Sequence, residues 1–189
     1  IGAELLSKFL DWTDRTTCVI FADGAGAVVM SEGELPRGVL ASVMHTDGSM
    51  TDFICMEGGG SKHPASGDTL ARGLHFIKMR GNETFKIAVR SLDDVSREVL
   101  MKAGLTPDDV DWFIPHQANQ RITDAVASRL NVPEEKVYSN IAEMGNTSSA
   151  SIPIALDECM QSGRIKEGSL VLLTAFGGGV TWGATVIRF

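Results

Sequence analysis

Segments with helical and with strand-like hydrophobic patterns alternate along most of this chain, and this alternation restricts its fold more than any other feature. After Asn82, a good N-cap residue, one apolar face continues at helical spacing to Ala103, and Gly104 supplies a C-cap signal. The pattern further predicts helices at 118–130 and ending near Ser162, and strands at 110–114, near Val137, in SLVLLTAF and in TWGATVIRF. This order predicts a layered α/β fold with a mixed, mostly parallel sheet that ends in an antiparallel pair.

The first third of the chain has a less regular pattern. Residues 1–10 predict a short helix, and TTCVIF and AVVM predict two strands joined by the Gly-rich turn ADGAG, which together make a hairpin. SEGELPRG mixes charged residues with Pro and Gly and is the best linker candidate, and GVLASVMHT then resumes a strand pattern. A boundary is therefore expected near Pro36.

The composition argues against several classes of protein. With 189 residues and 43% hydrophobic content, the chain can form one large or two small globular domains. It has 17 Lys and Arg against 24 Asp and Glu and no run of basic residues, so neither nucleic acid nor an anionic membrane is expected as the main partner. We see no apolar run of about 20 residues and no secretory leader, so we expect a cytoplasmic protein.

The three cysteines, Cys18, Cys55 and Cys159, are widely spaced and form no CxxC pair. This spacing suggests neither a disulfide framework nor a zinc site. Each cysteine is expected to be a small hydrophobic core residue rather than a catalytic nucleophile, because thiols in apolar surroundings are inert.

Three loops at the ends of strands or the starts of helices combine residue types that suit one reaction. They are PHQAN at 115–119, GNTSSAS at 145–151 and FGGGVTWG at 176–183. In layered α/β proteins, ligands bind at such strand ends. A His and an Asn amide placed together can donate two hydrogen bonds to one carbonyl oxygen, and a Gly-rich turn can add a backbone N–H, which is what an oxyanion requires.

Each of these loops also has an ordinary structural explanation. His116 alone would more often be a helix cap or a hydrogen-bonded buried side chain, and Asn146 alone a turn or cap residue. Glycines 177–179 would by default form a tight turn. The presence of all three motifs in one chain, in this order, favours a catalytic site over three independent turns.

The motifs DGAGA, GNETFKIAV, DWFIPHQANQRI, GNTSSASIPIALDE and LLTAFGGGVTWGA resemble the β-ketoacyl-acyl carrier protein synthase III family of the thiolase-like superfamily, through nearly the whole chain. The resemblance implies the C-terminal half of a duplicated fold, which is part of an α-β-α-β-α sandwich. Residues 1–36 would be the tail end of the N-terminal half, as a helix plus a hairpin, and residues 37–189 the C-terminal domain.

The family resemblance also implies an activity. In that family an active-site cysteine is acylated by a short acyl-coenzyme A, malonyl-acyl carrier protein loses carbon dioxide, and the resulting enolate attacks the acyl-cysteine. This decarboxylative Claisen condensation initiates fatty acid biosynthesis. By similarity, His116 and Asn146 would hold the thioester carbonyl oxygen, and Gly178 would offer its N–H to the tetrahedral intermediate. The resemblance implies no metal and no cofactor, with acyl-coenzyme A as a substrate.

Binding residues are implied in the same way. The coenzyme A tunnel would be lined by Arg15, Gly81, Phe85, Ala118, Asn119, Arg121 and Ile122. Because the carrier protein is acidic and this chain is also acidic, docking would need a local basic patch, for which Lys86, Arg121 and Arg129 are the candidates. Taken singly, these arginines would be ordinary surface charges and Phe85 a core residue.

One departure from the family pattern is clear. The nucleophilic cysteine of the family lies at a strand-to-helix elbow, and no segment of this sequence resembles that elbow. We therefore expect the chain alone to form no acyl-enzyme, to need the missing N-terminal half as a partner, and to be a homodimer when whole. Two alternatives stay open, which are a non-condensing acyltransferase or thioesterase-like member of the superfamily and a catalytically dead acyl-coenzyme A-binding or scaffold domain.

Overall fold

A computed structural model describes residues 1–189 and contains eight strands and five α-helices. The strands are β1 (Gly2–Glu4), β2 (Gly24–Gly26), β3 (Gly38–Thr46), β4 (Ile54–Cys55), β5 (Lys78–Met79), β6 (Trp112–Pro115), β7 (Leu170–Gly177) and β8 (Thr181–Arg188). The helices are α1 (Gly67–Ala71), α2 (Gly81–Lys102), α3 (Gln120–Leu130), α4 (Ile141–Met144) and α5 (Ser151–Gln161). Short 3-10 turns occur at Leu6–Phe9, Gly48–Met50, Pro107–Asp109, Glu134–Lys136 and Ser148–Ala150.

The central sheet has four strands in the order β3-β8-β7-β6. Only β6 and β7 are parallel, and they pair from Trp112 with Val171 to Pro115 with Thr174. The β3–β8 and β7–β8 pairs are antiparallel. The predicted mixed α/β fold with an antiparallel final pair is confirmed, but the sheet is not mostly parallel. GVLASVMHT returns as an antiparallel neighbour of the last strand, which its own hydrophobic pattern could not indicate.

Helix α2 forms because its buried residues repeat every three or four positions, from Thr84 and Ala88 to Val99 and Leu100. Its C-terminus is closed as the sequence predicts. Gly104 adopts a positive φ of 70°, and the N–H of Leu105 donates to the carbonyl of Leu100. The predicted helix at 82–103 is therefore confirmed almost to the residue.

The helices cover the two faces of the sheet with two separate cores. On one face, α2 packs against β7 and β8 and α3 packs against α2, in a cluster of 19 buried residues that includes Leu92, Val95, Phe113 and Leu172. On the other face, α5 packs against β6 and β7 through a smaller cluster of Ile114, Ala155, Leu156, Cys159, Ile165 and Val171. The result is a helix–sheet–helix arrangement in which β6 contributes to both cores.

The first 36 residues differ from their predicted form. Residues 1–10 are not a helix, because Gly2–Glu4 pair with Gly24–Gly26 and only one 3-10 turn follows. The glycines predicted as a hairpin turn are thus themselves a strand. TTCVIF forms turns and a single bridge, and AVVM has no regular structure. The pairing of Gly2–Glu4 with Gly24–Gly26 overrode the local pattern of both of these segments.

Several apolar side chains in the 28–35 segment are exposed. Val29 and Leu35 are exposed to 97% and 93%, and Val28 and Met30 are also largely exposed. Soluble monomers rarely expose so many large apolar residues in one segment, and such patches mark interaction surfaces. No helix combines the length and the hydropathy that a membrane-spanning segment requires.

Two smaller expectations are corrected by the structure. Of the cysteines, only Cys159 lies in a core, whereas Cys18 and Cys55 are partly exposed. The predicted strand near Val137 is reduced to one parallel bridge with Phe113. The short segment passes the sheet edge and turns into the 139–140 loop instead of continuing along β6.

The stability of the larger core can be tested with two neighbouring residues of α2. Leu100 is 1% exposed and Met101 is 72% exposed. We expect Leu100→Ala to lower the free energy of unfolding by about 2–5 kcal/mol, because it removes buried methyl groups and leaves a cavity. Met101→Ala should change it by no more than about 0.5 kcal/mol. Urea denaturation measures both, and equal effects would show that α2 is not packed as described.

Candidate active site

One cavity of about 790 Å³ lies where the three sequence motifs meet. It is bordered by the end of β6, the N-terminal turn of α2, the 146–152 segment and the ends of β7 and β8. His116, Asn146 and Gly178 all line it. The structure therefore brings together the three predicted donors, although they lie in segments that are distant in the sequence.

His116 is placed by the end of the parallel strand pair. Its backbone N–H donates to the carbonyl of Thr174 at 2.7 Å, which extends the β6–β7 ladder by one residue. Its ring Nδ1 is hydrogen-bonded to Oγ of Ser151 at 2.6 Å, and Nε2 has no partner within the protein. Burial lowers the pKa of His116 to about 4 from 6.5, so the imidazole is neutral near pH 7.

Asn146 is held by both its backbone and its side chain. Its N–H donates to the carbonyl of Ile20 at 2.9 Å, and its carbonyl accepts from the N–H of Ala22 at 2.8 Å. Its Oδ1 accepts from the N–H of Ser148 at 2.9 Å, which leaves the Nδ2 group as the free donor. Gly145 is required here, because a Cβ at this position would lie 2.9 Å from the Cβ of Ala22.

Gly178 follows β7 in the Gly-rich turn. A Cβ on this residue would lie 2.9 Å from the carbonyl oxygen of Ile54, which is backbone and cannot move aside cheaply. The turn therefore needs glycine to pack against β4. The exposed backbone of Gly178 therefore forms part of the cavity wall.

The cavity combines neutral hydrogen-bond donors with an apolar lining. Nε2 of His116 and Nδ2 of Asn146 are uncommitted, and Phe85, Leu92 and Phe176 contribute apolar surface. Such a site can stabilise a developing negative charge on oxygen, because donors in apolar surroundings act more strongly than in water. The chain has no group of three or more His, Cys, Asp or Glu side chains arranged to hold a metal ion.

Six of the seven residues predicted for the coenzyme A tunnel line this cavity. They are Gly81, Phe85, Ala118, Asn119, Arg121 and Ile122. Arg15 is exposed and does not line the cavity, although its neighbour Thr16 does. The guanidinium of Arg121 lies 5.2 Å from the centre of the Phe85 ring, a cation–π contact at the cavity wall.

The three docking candidates differ in their surroundings. Lys86 and Arg121 are exposed and have no salt bridge. Arg129 contacts Asp93 at 3.7 Å, and its carbonyl accepts a hydrogen bond from Arg97. The positive charge of Arg129 is thus partly neutralised by Asp93.

Sequence reasoning assigned no role to two buried residues beside His116, which are Gln117 and Ser151. Gln117 is 1% exposed, and its Nε2 donates to the carbonyl of Pro115 at 2.7 Å. Its Oε1 accepts from Oγ of Ser139 and from the N–H of Asn140. This side chain joins the His116 loop to the segment that leads to Asn146. Gln117 lies in the PHQAN motif and Ser151 in the GNTSSAS motif, but their contacts are visible only in the folded structure.

Sequence models of one family match both ends of the chain. Residues 1–48 match the model described as 3-oxoacyl-acyl-carrier-protein (ACP) synthase III. Residues 100–189 match the model described as the C terminal of the same synthase. The chain belongs to the 3-oxoacyl-acyl-carrier-protein synthase III family.

Curated relatives of this synthase III family align with the whole chain. The β-ketoacyl-acyl-carrier-protein synthases III of Caldanaerobacter subterraneus subsp. tengcongensis and of Aquifex aeolicus are each 49% identical over 189 residues. All of this chain is covered, but only 57% and 56% of these relatives. The chain therefore spans a little over half the length of the relatives it matches.

Solved structures agree with this assignment. The crystal structure of the Aquifex aeolicus synthase III superposes with a TM-score of 0.88 at 49% identity and covers all of this chain and 56% of that one. The Pseudomonas aeruginosa synthase III gives the same TM-score at 38% identity, again over all of this chain and 56% of that one. The predicted thiolase-like fold is confirmed.

The pKa of His116 gives a direct test of its environment. Because burial disfavours the imidazolium, the unfolded chain binds the proton first, and folding stability should fall as the pH drops from 6.5 towards 4. In an NMR titration, the His116 resonance should have its midpoint near pH 4. The resonance that disappears in His116→Gln is assigned to His116, and this variant should also lose the corresponding pH dependence of the folding stability. A midpoint near 6.5 would contradict the buried placement.

Proposed function

We propose that the chain is the oxyanion-binding part of a condensing enzyme that initiates fatty acid biosynthesis. The reaction is the decarboxylative condensation of an acyl-coenzyme A primer with malonyl-acyl carrier protein to 3-oxoacyl-acyl carrier protein. The observation that carries this proposal is the convergence of His116, Asn146 and Gly178 on one cavity. The named activity of the family relatives points to the same reaction.

In this proposal the donors act on the thioester of the malonyl group. Loss of carbon dioxide leaves an electron pair on carbon, and the negative charge moves onto the thioester oxygen. Nε2 of His116 and Nδ2 of Asn146 donate to that oxygen, which lowers the barrier. A neutral imidazole suits this role, because it acts as a donor and takes no proton. The N–H of Gly178 serves the second oxyanion, formed when the enolate attacks the acyl group.

The acylated nucleophile would come from outside residues 1–189. Neither Cys18, Cys55 nor Cys159 lines the cavity, and burial raises the pKa of the Cys159 thiol to about 12. One part of the sheet that borders the cavity, at Ala175, is also left uncovered. Ala175 lies on the central strand β7 and is nevertheless exposed, whereas strands of layered α/β sheets are normally covered on both faces.

A partner polypeptide, or a further part of the same one, would cover this face. The exposed Val28–Leu35 segment follows β2 directly and has no regular structure, so it fits a junction between two parts of a larger fold. We propose the division into residues 1–36 and 37–189 on this basis. A homodimer of the whole protein and a cytoplasmic location also stay predictions.

Coenzyme A would enter along the Arg121 side of the cavity. Arg121 and Phe85 form one wall with Ile122, and the free N-terminal turn of α2 begins beside them at Gly81. Among the docking candidates, Lys86 and Arg121 are better suited than Arg129 to bind an acidic carrier protein, because Arg129 already forms a salt bridge with Asp93. Arg15 would act outside the cavity, next to Thr16.

The two rival functions predict different products. A non-condensing acyltransferase of the superfamily would use the same donors without releasing carbon dioxide from malonyl-acyl carrier protein. A catalytically dead binding domain would bind acyl-coenzyme A and turn over nothing. The Nε2 and Nδ2 groups have no protein partner and face the same cavity, so both can donate to one substrate oxygen, and this favours catalysis over binding alone.

Donor removal should abolish most of the decarboxylation. In the natural polypeptide that contains residues 1–189, we expect His116→Ala and Asn146→Ala each to lower the decarboxylation rate about 10²–10³-fold. Release of labelled carbon dioxide from malonyl-acyl carrier protein measures it. His45→Ala is the matched control, because His45 binds Glu98 outside the cavity. Full activity in both donor variants would refute the proposed roles.

Acylation gives a second test. Residues 1–189 alone should form no stable thioester with radiolabelled acetyl-coenzyme A, because no cysteine faces the cavity. Addition of the part of the Aquifex aeolicus relative that this chain does not match should restore labelling on the added part. A labelled thioester on the isolated chain, traced with Cys18→Ala, Cys55→Ala and Cys159→Ala, would overturn the proposal that the nucleophile comes from elsewhere.

A further inference from the structure

Ser151 makes the one side-chain hydrogen bond to the ring of His116. It is the first residue of α5 and is 2% exposed. Its Oγ lies 2.6 Å from Nδ1 of His116, and it also accepts a hydrogen bond from the backbone N–H of Gln117 at 3.3 Å. The hydroxyl has no other hydrogen-bond partner in the structure.

These two contacts determine where the hydroxyl hydrogen lies. A backbone N–H can only donate, so the contact with Gln117 uses a lone pair of Oγ. Nδ1 of His116 is then the only acceptor within reach of the hydroxyl hydrogen. Nδ1 must therefore carry its lone pair, and the hydrogen of a neutral imidazole must sit on Nε2.

The opposite tautomer would be unfavourable at this position. With the hydrogen on Nδ1, two N–H groups would point at Oγ of Ser151, and its hydroxyl hydrogen would be buried without an acceptor. Leaving a buried donor unpaired costs more than an ordinary hydrogen bond contributes. The packing of α5 against the end of β6 thus selects one of two otherwise similar imidazole forms.

We propose that Ser151 is a positioning residue that holds His116 as the Nε2–H tautomer and so makes its cavity-facing nitrogen a hydrogen-bond donor. The catalytic consequence rests on the function proposed above. The tautomer itself is a property of the folded protein, and it can be measured without any substrate.

The tautomer is measured by long-range ¹⁵N–¹H NMR on the natural polypeptide that contains residues 1–189, labelled with ¹⁵N-histidine. At neutral pH, His116 should carry its proton on Nε2. In Ser151→Ala the Nδ1–H form should appear, and Ser151→Thr, which keeps a hydroxyl, should restore the original spectrum. Ser162→Ala, at the other end of α5, is the control for hydroxyl loss, because its Oγ contacts only the carbonyl of Cys159.

The kinetic readout is decarboxylation of malonyl-acyl carrier protein. Ser151→Ala should lower kcat about 10–100-fold with little change in KM, as expected when a histidine loses the group that orients it. Ser162→Ala should have neither effect. A shifted tautomer with unchanged kcat would support the positioning role and refute the donor role of His116 instead.

Two results would overturn the proposal. One is a wild-type spectrum with the proton on Nδ1, which needs no variant and is independent of how well Ser151→Ala folds. The other is a Ser151→Ala protein that still has the Nε2–H form, whatever its activity, since Ser151 would then be merely structural.

Discussion

The parallel pairing of β6 with β7 is the constraint on which the candidate site depends. Phe113, Ile114 and Pro115 are buried between the two cores, and Trp112 is half-buried. The last backbone hydrogen bond of this ladder is made by His116 itself. Pro115 has no N–H to donate, but the ladder continues for one more hydrogen bond through the N–H of His116. The sheet therefore fixes the backbone of His116 beside Thr174 of β7, and the ring extends from this fixed point.

Around this fixed ring, the remaining groups are placed by backbone contacts rather than by side-chain pairs. The backbone of Asn146 is held between the carbonyl of Ile20 and the N–H of Ala22. Gly178 packs closely against the backbone of Ile54. Only the Ser151 hydroxyl and the Gln117 amide link these segments through side chains. A site built in this way presents donors at defined positions without depending on long, flexible side chains.

Much of this could be predicted from the sequence where the signals are local. The helical face of α2, its Gly104 cap and the strand-to-helix change around His116 depend on residues within one element, and each was found. The motifs also placed His116, Asn146 and Gly178 on loops that do meet. The predictions failed where a distant partner decided the structure. Gly24–Gly26 look like a turn until Gly2–Glu4 lie beside them, and β3 became antiparallel through β8. The contact between Ser151 and His116 spans 35 residues and has no local signal.

The backbone contacts of residues 20–22 with Asn146 connect the segment before Pro36 to the segment after it. The Asn146 backbone is held on both sides by Ile20 and Ala22, and Gly145 leaves just enough room for that approach. A hybrid protein joined at Pro36 would keep the Asn146 carboxamide but place it against the 20–22 segment of another protein. The 20–22 segment and the 145–151 loop therefore act as one structural unit, in which a change to either segment alters the position of the Asn146 carboxamide.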